Sequence, residues 1–359
     1  MSARETPDPE DPLKWVIENH FSKKTQGTER NARLSLFGTV GSNGQGARVA
    51  LKPWLEQKDV PPEKLTFDLA YEYVNDLRDA YAPRTQRLRA NIASKSYEIF
   101  LRRNVEGFDC NPINEVIEEH PRLLQNVTKN STTIYDKEVI KQVIGNQHPV
   151  HGTVSMTMLK TARRIGGVLN LDCRDVHLEH PAADWTVHQE IRNKPNHIHF
   201  GPGVSAGEVF RGETRQDGMK TETRVTIPID EELKSFLIWY LSFRRSSEHE
   251  GAFFINPGVV QEDQRLCAQS YRDVLIPVIK EQGLYYKDHD PDNIRPHYFR
   301  HWTTSKMRDR ISDGTVDYFR GDKKAISDTY NHYTEEKANL WKRNIPKLYR
   351  PYKTKADQP

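Results

Sequence analysis

The sequence predicts a mainly α-helical protein with a small β-sheet, an α+β chain of two domains. Three observations carry this reading. Apolar residues recur at helical spacing in the N-terminal part of the chain and again in its last third. A stretch rich in threonine, valine, histidine and glycine, from Val187 to Ile229, has strand-and-turn character. Between Phe108 and Asn130, Pro112 and Pro121 interrupt a segment with few apolar residues in register, which reads as a linker holding one short helix. With 359 residues, 36% hydrophobic and 29% charged, the chain is long enough to bury a core in each of two domains. The first is expected over residues 1–126 and the second over 127–359.

The elements follow in order. Asp11-Pro12-Leu13 opens a helix, with a capping aspartate before proline at the first helical position, and Trp15, Ile17 and Phe21 continue it. The glycine-rich run from Thr39 to Gly46 lacks the lysine and hydroxyl residue of a phosphate-binding loop and reads as a connection. Thr66 caps a second helix carrying Leu69, Tyr73 and Leu77. A third runs from Pro83 through Arg103. Its Leu88, Ile92 and Ile99 share a face, beside a basic stripe of Arg84, Arg87, Lys95 and Arg102, the candidate DNA-binding residues of this domain. In the second domain a helix begins around Tyr135–Ile140, and another is expected over Val154–Leu171, carrying Arg164. His197 and His199 alternate as on a strand. No third ligand is indicated for a metal, so they read as polar residues on an exposed strand face.

Composition excludes several classes. No stretch approaches the roughly 18 apolar residues of a membrane span, and the first residues lack the apolar core of a signal peptide, so a cytoplasmic protein with no membrane partner is expected. Cys110, Cys173 and Cys267 stand far apart in no ligand spacing, which argues against a disulfide framework or a zinc site. A net charge of +3 permits a nucleic-acid partner without requiring one.

The chemistry lies in a set of separated motifs. Ala162–Leu171 holds Arg163 and Arg164. Pro296-His297-Tyr298-Phe299-Arg300-His301 places His297 and Arg300 on one helical face, and Thr329-Tyr330-Asn331-His332 follows near the end. A phosphodiester in transfer carries negative charge on its non-bridging oxygens, so a metal-free site needs fixed cationic donors around it. A tyrosine can attack the phosphorus and divide one hard step into two through a covalent intermediate. Two arginines, a histidine and a late tyrosine therefore suggest DNA strand transfer.

The set resembles the catalytic boxes of the tyrosine recombinase, or phage integrase, family, over most of the C-terminal half. The resemblance implies a helical SAM-like core-binding domain that clamps DNA, often ending near an Asn-Pro such as Asn111-Pro112, followed by an integrase-type catalytic domain. It assigns catalysis to Arg164, Lys220, His297, Arg300 and Tyr330. Arg164 matches the arginine of Thr-Gly-x-Arg-Ile-x-Glu-Leu, where guanidinium binds two phosphate oxygens and keeps its proton. Here Ala162 replaces the glycine and Gly167 the glutamate. Lys220, before the strand Arg224–Ile229, is expected to protonate the leaving 5′ oxygen, because an alkoxide leaves poorly. His297 shares the proton of the attacking phenol and Arg300 completes the phosphate clamp. Tyr330 has the Tyr-x-His context of the nucleophile, with Tyr333 as the competitor, while Tyr318, Tyr349 and Tyr352 read as packing residues.

Relatives carry a Gly-His pair in a third box, where this chain has Arg320-Gly321-Asp322. Ionised Asp322 cannot donate a hydrogen bond. The pattern suggests an archaeal-type branch, with His301, Lys323 or Trp341 as alternative donors. The implied function is site-specific recombination through a 3′-phosphotyrosyl link, without cofactor or metal. Its partners would be double-stranded DNA attachment sites and further copies of the chain, as a homo-tetramer assembled on DNA and associated with the nucleoid. Two alternatives stand beside it: a type IB topoisomerase-like relaxing enzyme, and an accessory DNA-binding protein weakened in catalysis, as Gly167 and Asp322 would allow.

Overall fold

The structure is a computed structural model that describes residues 10–23, 26–38, 48–124, 132–219, 224–244, 251–257, 264–286, 293–321 and 333–349. The glycine-rich run Thr39–Gly46, Lys220, Asp322, Lys323, Tyr330 and Tyr352 lie outside the described residues. Packing divides the chain into two compact units, Met1–Lys129 and Asn130–Pro359. The architecture is the mainly α, α+β type expected, and among the described residues the short antiparallel strands all lie in the second unit.

Local chemistry starts the helices of the first unit. Helix α1, Pro12–Val16, begins where Asp11 Oδ1 accepts from Lys14 N at 3.1 Å, and a single π turn, Ile17–Phe21, prolongs it. Helices α2, Gln26–Leu36, and α3, Leu51–Gln57, precede α4, Phe67–Ala80, whose first turn Thr66 Oγ1 caps at Leu69 N, 3.4 Å away. Helix α5, Pro83–Arg102, packs against α1, α2 and α4, and against α6, Pro112–Glu119, which Asn111 caps. The buried face of α5 follows Gln86, Arg89, Ala90, Ala93, Tyr97 and Phe100. Ile92 and Ile99 are buried as expected, but Leu88 is 42% exposed, because the inward stripe near the helix start runs through Gln86, Arg89 and Ala90 instead. Arg89 turns inward and donates through Nη1 to Leu34 O at 2.5 Å while lying over the Tyr81 ring.

The second unit is built around α8, Pro149–Thr161, whose residues from Val150 onward are all buried. Around it pack α7, Lys137–Gly145; α9, Ile165–Leu169; α10, Glu231–Leu241; α11, Ala268–Glu281; and α12, Pro296–Arg308. The single helix expected over Val154–Leu171 is instead two. It starts earlier, at Pro149, and breaks at Ala162, which adopts the left-handed conformation with φ 51°. Strands β1, Val176–His177; β2, His197–Phe200; and β5, Val225–Pro228, form one antiparallel sheet in the order β1-β2-β5, with Ile198 opposite Ile227. A separate hairpin pairs β3, Val209–Phe210, with β4, Glu213–Thr214. Helices α13, Asp313–Arg320, and α14, Glu335–Asn344, both pack on β5. His197 and His199 are buried, contrary to the exposed face expected, because every position of β2 is covered.

Lys160 at the end of α8 is 2% exposed and forms an ion pair with Asp230 at 2.7 Å and another with Glu232, while also donating to Pro346 O. A buried ammonium needs such partners, and the triad ties α8 to the start of α10 and to the C-terminal residues. Trp341 closes the same corner, its indole donating to Lys160 O at 3.1 Å.

Candidate active site

The break after α8 shapes the site. Thr161 ends the helix, Ala162 turns left-handed, and Arg163 and Arg164 leave in different directions. Arg163 is 1% exposed: it stacks over the Phe200 ring at 4.7 Å and donates through Nη1 to Arg320 O at 2.9 Å. It is a structural latch between β2 and the end of α13. Arg164 is only half-buried and caps the N-terminus of α9, where its carbonyl accepts from Gly167 N at 2.9 Å. Of the two neighbours, Arg164 is therefore the one with access to a ligand.

Helix α12 brings in the second group. Pro296 occupies its first position, and His297, Arg300 and His301 fall within the first turn and a half. Arg300 is 1% exposed, and its Nη1 donates to Ala162 O at 2.8 Å and to Arg320 O at 2.9 Å. These bonds hold α12, the α8–α9 break and the end of α13 at one point. His297 meets His301 edge-on, with ring centroids 4.5 Å apart. Partial burial, then the positive neighbours His301, Arg300, Arg164 and Arg320, push the His297 pKa down to about 4. At neutral pH its imidazole is uncharged and able to accept a proton. Arg164, Arg300 and Arg320 are near enough for their charges to act on this one imidazole.

Gly167 stands where the motif it resembles has glutamate, and α9 is held by other means. Asn170 Nδ2 donates to Gly166 O at 2.7 Å and to Asp217 O at 2.8 Å, and Asp217 Oδ2 accepts from Ala268 N at 2.6 Å. The segment leading to Lys220 thus lies against α9. Arg265 and Arg215 bind Asp172 and Glu213, and Arg211 binds Asp172 and Asp175, which fastens the β3–β4 hairpin to the residues after α9.

The remaining candidates separate. Tyr333 donates to, or accepts from, His197 Nε2 at 3.0 Å, and Lys194 covers its ring at 4.7 Å, so its phenol is engaged on β2. Trp341 is 1% exposed with its indole committed to Lys160 O, which rules it out as a replacement donor at the third box. His301 is exposed beside His297. In the first unit Arg84 and Arg87 are exposed, whereas Lys95 and Arg102 both pair with Glu98. Arg320, whose carbonyl ties Arg163 and Arg300 to the end of α13, belongs to none of the motifs that carry the family resemblance. Arg320 was nevertheless legible as the last cation of the α13 segment.

No family model matches the chain, and no curated protein does. Solved structures do. The Tn1549 transposon integrase in complex with transposon right end DNA superposes with a TM-score of 0.60 at 15% identity, covering 91% of this chain and 96% of that one. A lambda integrase dimer bound to a COC′ core site matches with a TM-score of 0.57 at 12% identity, covering 89% and 75%. A lambda integrase tetramer bound to a Holliday junction matches equally, with a TM-score of 0.57 at 12% identity, covering 88% and 77%. The chain has the fold of these integrases, that of the tyrosine recombinase family. None of these matches bears on the archaeal-type branch.

Proposed function

We propose that the chain is a site-specific DNA recombinase that cuts and rejoins strands by transesterification. The observation that carries this reading is the convergence of Arg164 and Arg300 on a neutral His297, in a chain with the integrase fold. Tyr330 is the nucleophile: its oxygen bonds to phosphorus, His297 takes the phenol proton, and the bond to the 5′ oxygen breaks. Lys220 gives that oxygen its proton, and the two arginines bind the non-bridging oxygens. The 3′-phosphotyrosyl link conserves the bond energy, so the reverse attack by a 5′ hydroxyl reseals DNA without a cofactor. Tyr333, held by His197, is the poorer nucleophile. Its partners are double-stranded attachment sites and other copies of the chain. Because lambda integrase matches as a dimer and as a tetramer on DNA, we assign a tetramer on two duplexes.

The test is covalent capture. The chain is incubated with a randomised library of nicked duplexes, and protein-linked DNA that survives detergent is sequenced and its linked peptide mapped. A phosphotyrosyl link at Tyr330, lost in Tyr330→Phe and retained in Tyr333→Phe, is the expected result. A link at Tyr333 overturns the nucleophile assignment. Tight DNA binding without any link favours the accessory-protein reading.

A further inference from the structure

We propose that the cavity beside α9 is a binding site for a single water molecule, which donates one hydrogen bond to Asn170 Oδ1 and the other to Asp175 Oδ1. The inference concerns what supports α9 and stands independently of the strand-transfer reading. Asn170 ends that helix, and the orientation of its amide is settled. Nδ2 donates to Gly166 O at 2.7 Å and to Asp217 O at 2.8 Å, and since two carbonyls can only accept, the other amide atom is the oxygen. That oxygen is buried and finds no donor within the protein. Asp175 is in the same position. Its Oδ2 accepts from Arg211 Nη1 at 2.8 Å and from Asp172 N at 3.1 Å, whereas Oδ1 is buried and likewise finds no donor within the protein. The two residues are 8% and 4% exposed, so bulk solvent does not serve either oxygen.

Both residues line one cavity, whose other walls include Phe200, Phe210 and Met219. The centre of a water-sized sphere has about 10 Å³ to occupy there, which is space for one water and no second. An amide oxygen and an ionised carboxylate can only accept, so neither satisfies the other directly. Burial pushes the Asp175 pKa up from its ordinary 3.8, and Arg211, bound to Oδ2, acts against that rise. A water, with two donors, answers both oxygens at once. A metal cation suits the cavity less well. Asp172, Asp175 and Glu213 are already met by Arg211, Arg215 and Arg265, and Arg211 itself lines the cavity, so a further positive charge would be repelled. The consequence is mechanical. Asn170 belongs to α9 and holds Asp217, while Asp175 belongs to the turn Cys173–Asp175 and holds Arg211 of the β3–β4 hairpin, and the water joins these two sets of contacts.

The experiment is a crystal structure of the full chain at neutral pH, at a resolution that shows ordered waters, followed by a second data set from a crystal soaked in rubidium chloride. The expected result is one fully occupied oxygen peak, about 2.6–3.2 Å from both Asn170 Oδ1 and Asp175 Oδ1, with no anomalous signal from rubidium at that point. Rubidium separates the two candidate ligands because it replaces a monovalent metal ion but not a water that is held as a donor. An empty cavity overturns the proposal, and so does a rubidium signal in it, which would make the site a cation site. It is overturned equally if Asn170 Oδ1 and Asp175 Oδ1 lie within hydrogen-bond distance of each other, since a protonated Asp175 would then be the donor and no water would be needed.

Discussion

Ala162 carries a left-handed backbone, φ 51°, at a position where it is fully buried and where its carbonyl receives Arg300 Nη1. The conformation is what lets the chain leave α8 and begin α9 with Arg164 at the cap. An L-residue with a Cβ pays about 1–2 kcal/mol for it, which explains why the related motif has glycine there. Ala162→Gly is therefore expected to stabilise the fold by about 0.5–1 kcal/mol after the greater chain entropy of unfolded glycine is deducted. Denaturant midpoints of the two proteins measure it. An unchanged or lower midpoint would show that the lost methyl packing outweighs the relieved strain.

Helix α9 and the segment that crosses it are matched at two glycines. A Cβ placed on Gly166 would stand 2.2 Å from the carbonyl oxygen of Gly218, a backbone atom that cannot swing aside. At Gly167 the same addition meets Met219 Sδ at 3.7 Å, an ordinary contact. Gly166→Ala must therefore push residues 217–219 off the helix, and it is expected to cost about 1–3 kcal/mol of stability. If Lys220, next along that segment, is the acid, the displacement also removes the proton for the leaving oxygen. Cleavage by Gly166→Ala should then fall further on ordinary DNA than on DNA with a 5′-bridging sulfur, which leaves without protonation. Equal slowing on both substrates would take Lys220 out of that role, and wild-type stability would contradict the close packing itself.

At the scale of the whole molecule, three histidines, His151, His199 and His297, are held neutral well below the ordinary imidazole range, first by desolvation. His151 and His199, 4% and 3% exposed, are pushed down to about 4 first by desolvation and then by a neighbouring histidine, and His297 reaches about 4 as well. The unfolded chain takes up these protons near the ordinary value of 6.5, whereas the folded chain refuses them until about 4. Between those values the unfolded state binds more protons, so stability rises with pH and is lost as pH falls. Each such group contributes a slope of up to about 1.4 kcal/mol per pH unit. Melting temperature is expected to drop steadily from pH 7 to pH 5, before the carboxylates titrate. His151→Gln and His199→Gln should flatten that slope, and a flat profile in the unmodified chain would refute the account.

The sequence by itself determined the helix starts and the spacing of the chemistry. Asp11 with Pro12, Thr66, Asn111 with Pro112, and Pro296 act within one turn, so neighbouring residues suffice to specify them. His297 and Arg300 shared a face for the same local reason, and the alternation of strand and helix signals was enough for the α+β class. Tertiary structure decided what depends on distant partners. It broke the expected Val154–Leu171 helix at Ala162, turned Arg163 inward and left Arg164 accessible, buried His197 and His199, and exposed Leu88. It also brought Arg320, far along the chain, onto Arg163 and Arg300. Burial and charge convergence are set by which elements meet in space, and no pattern of neighbouring residues encodes that meeting.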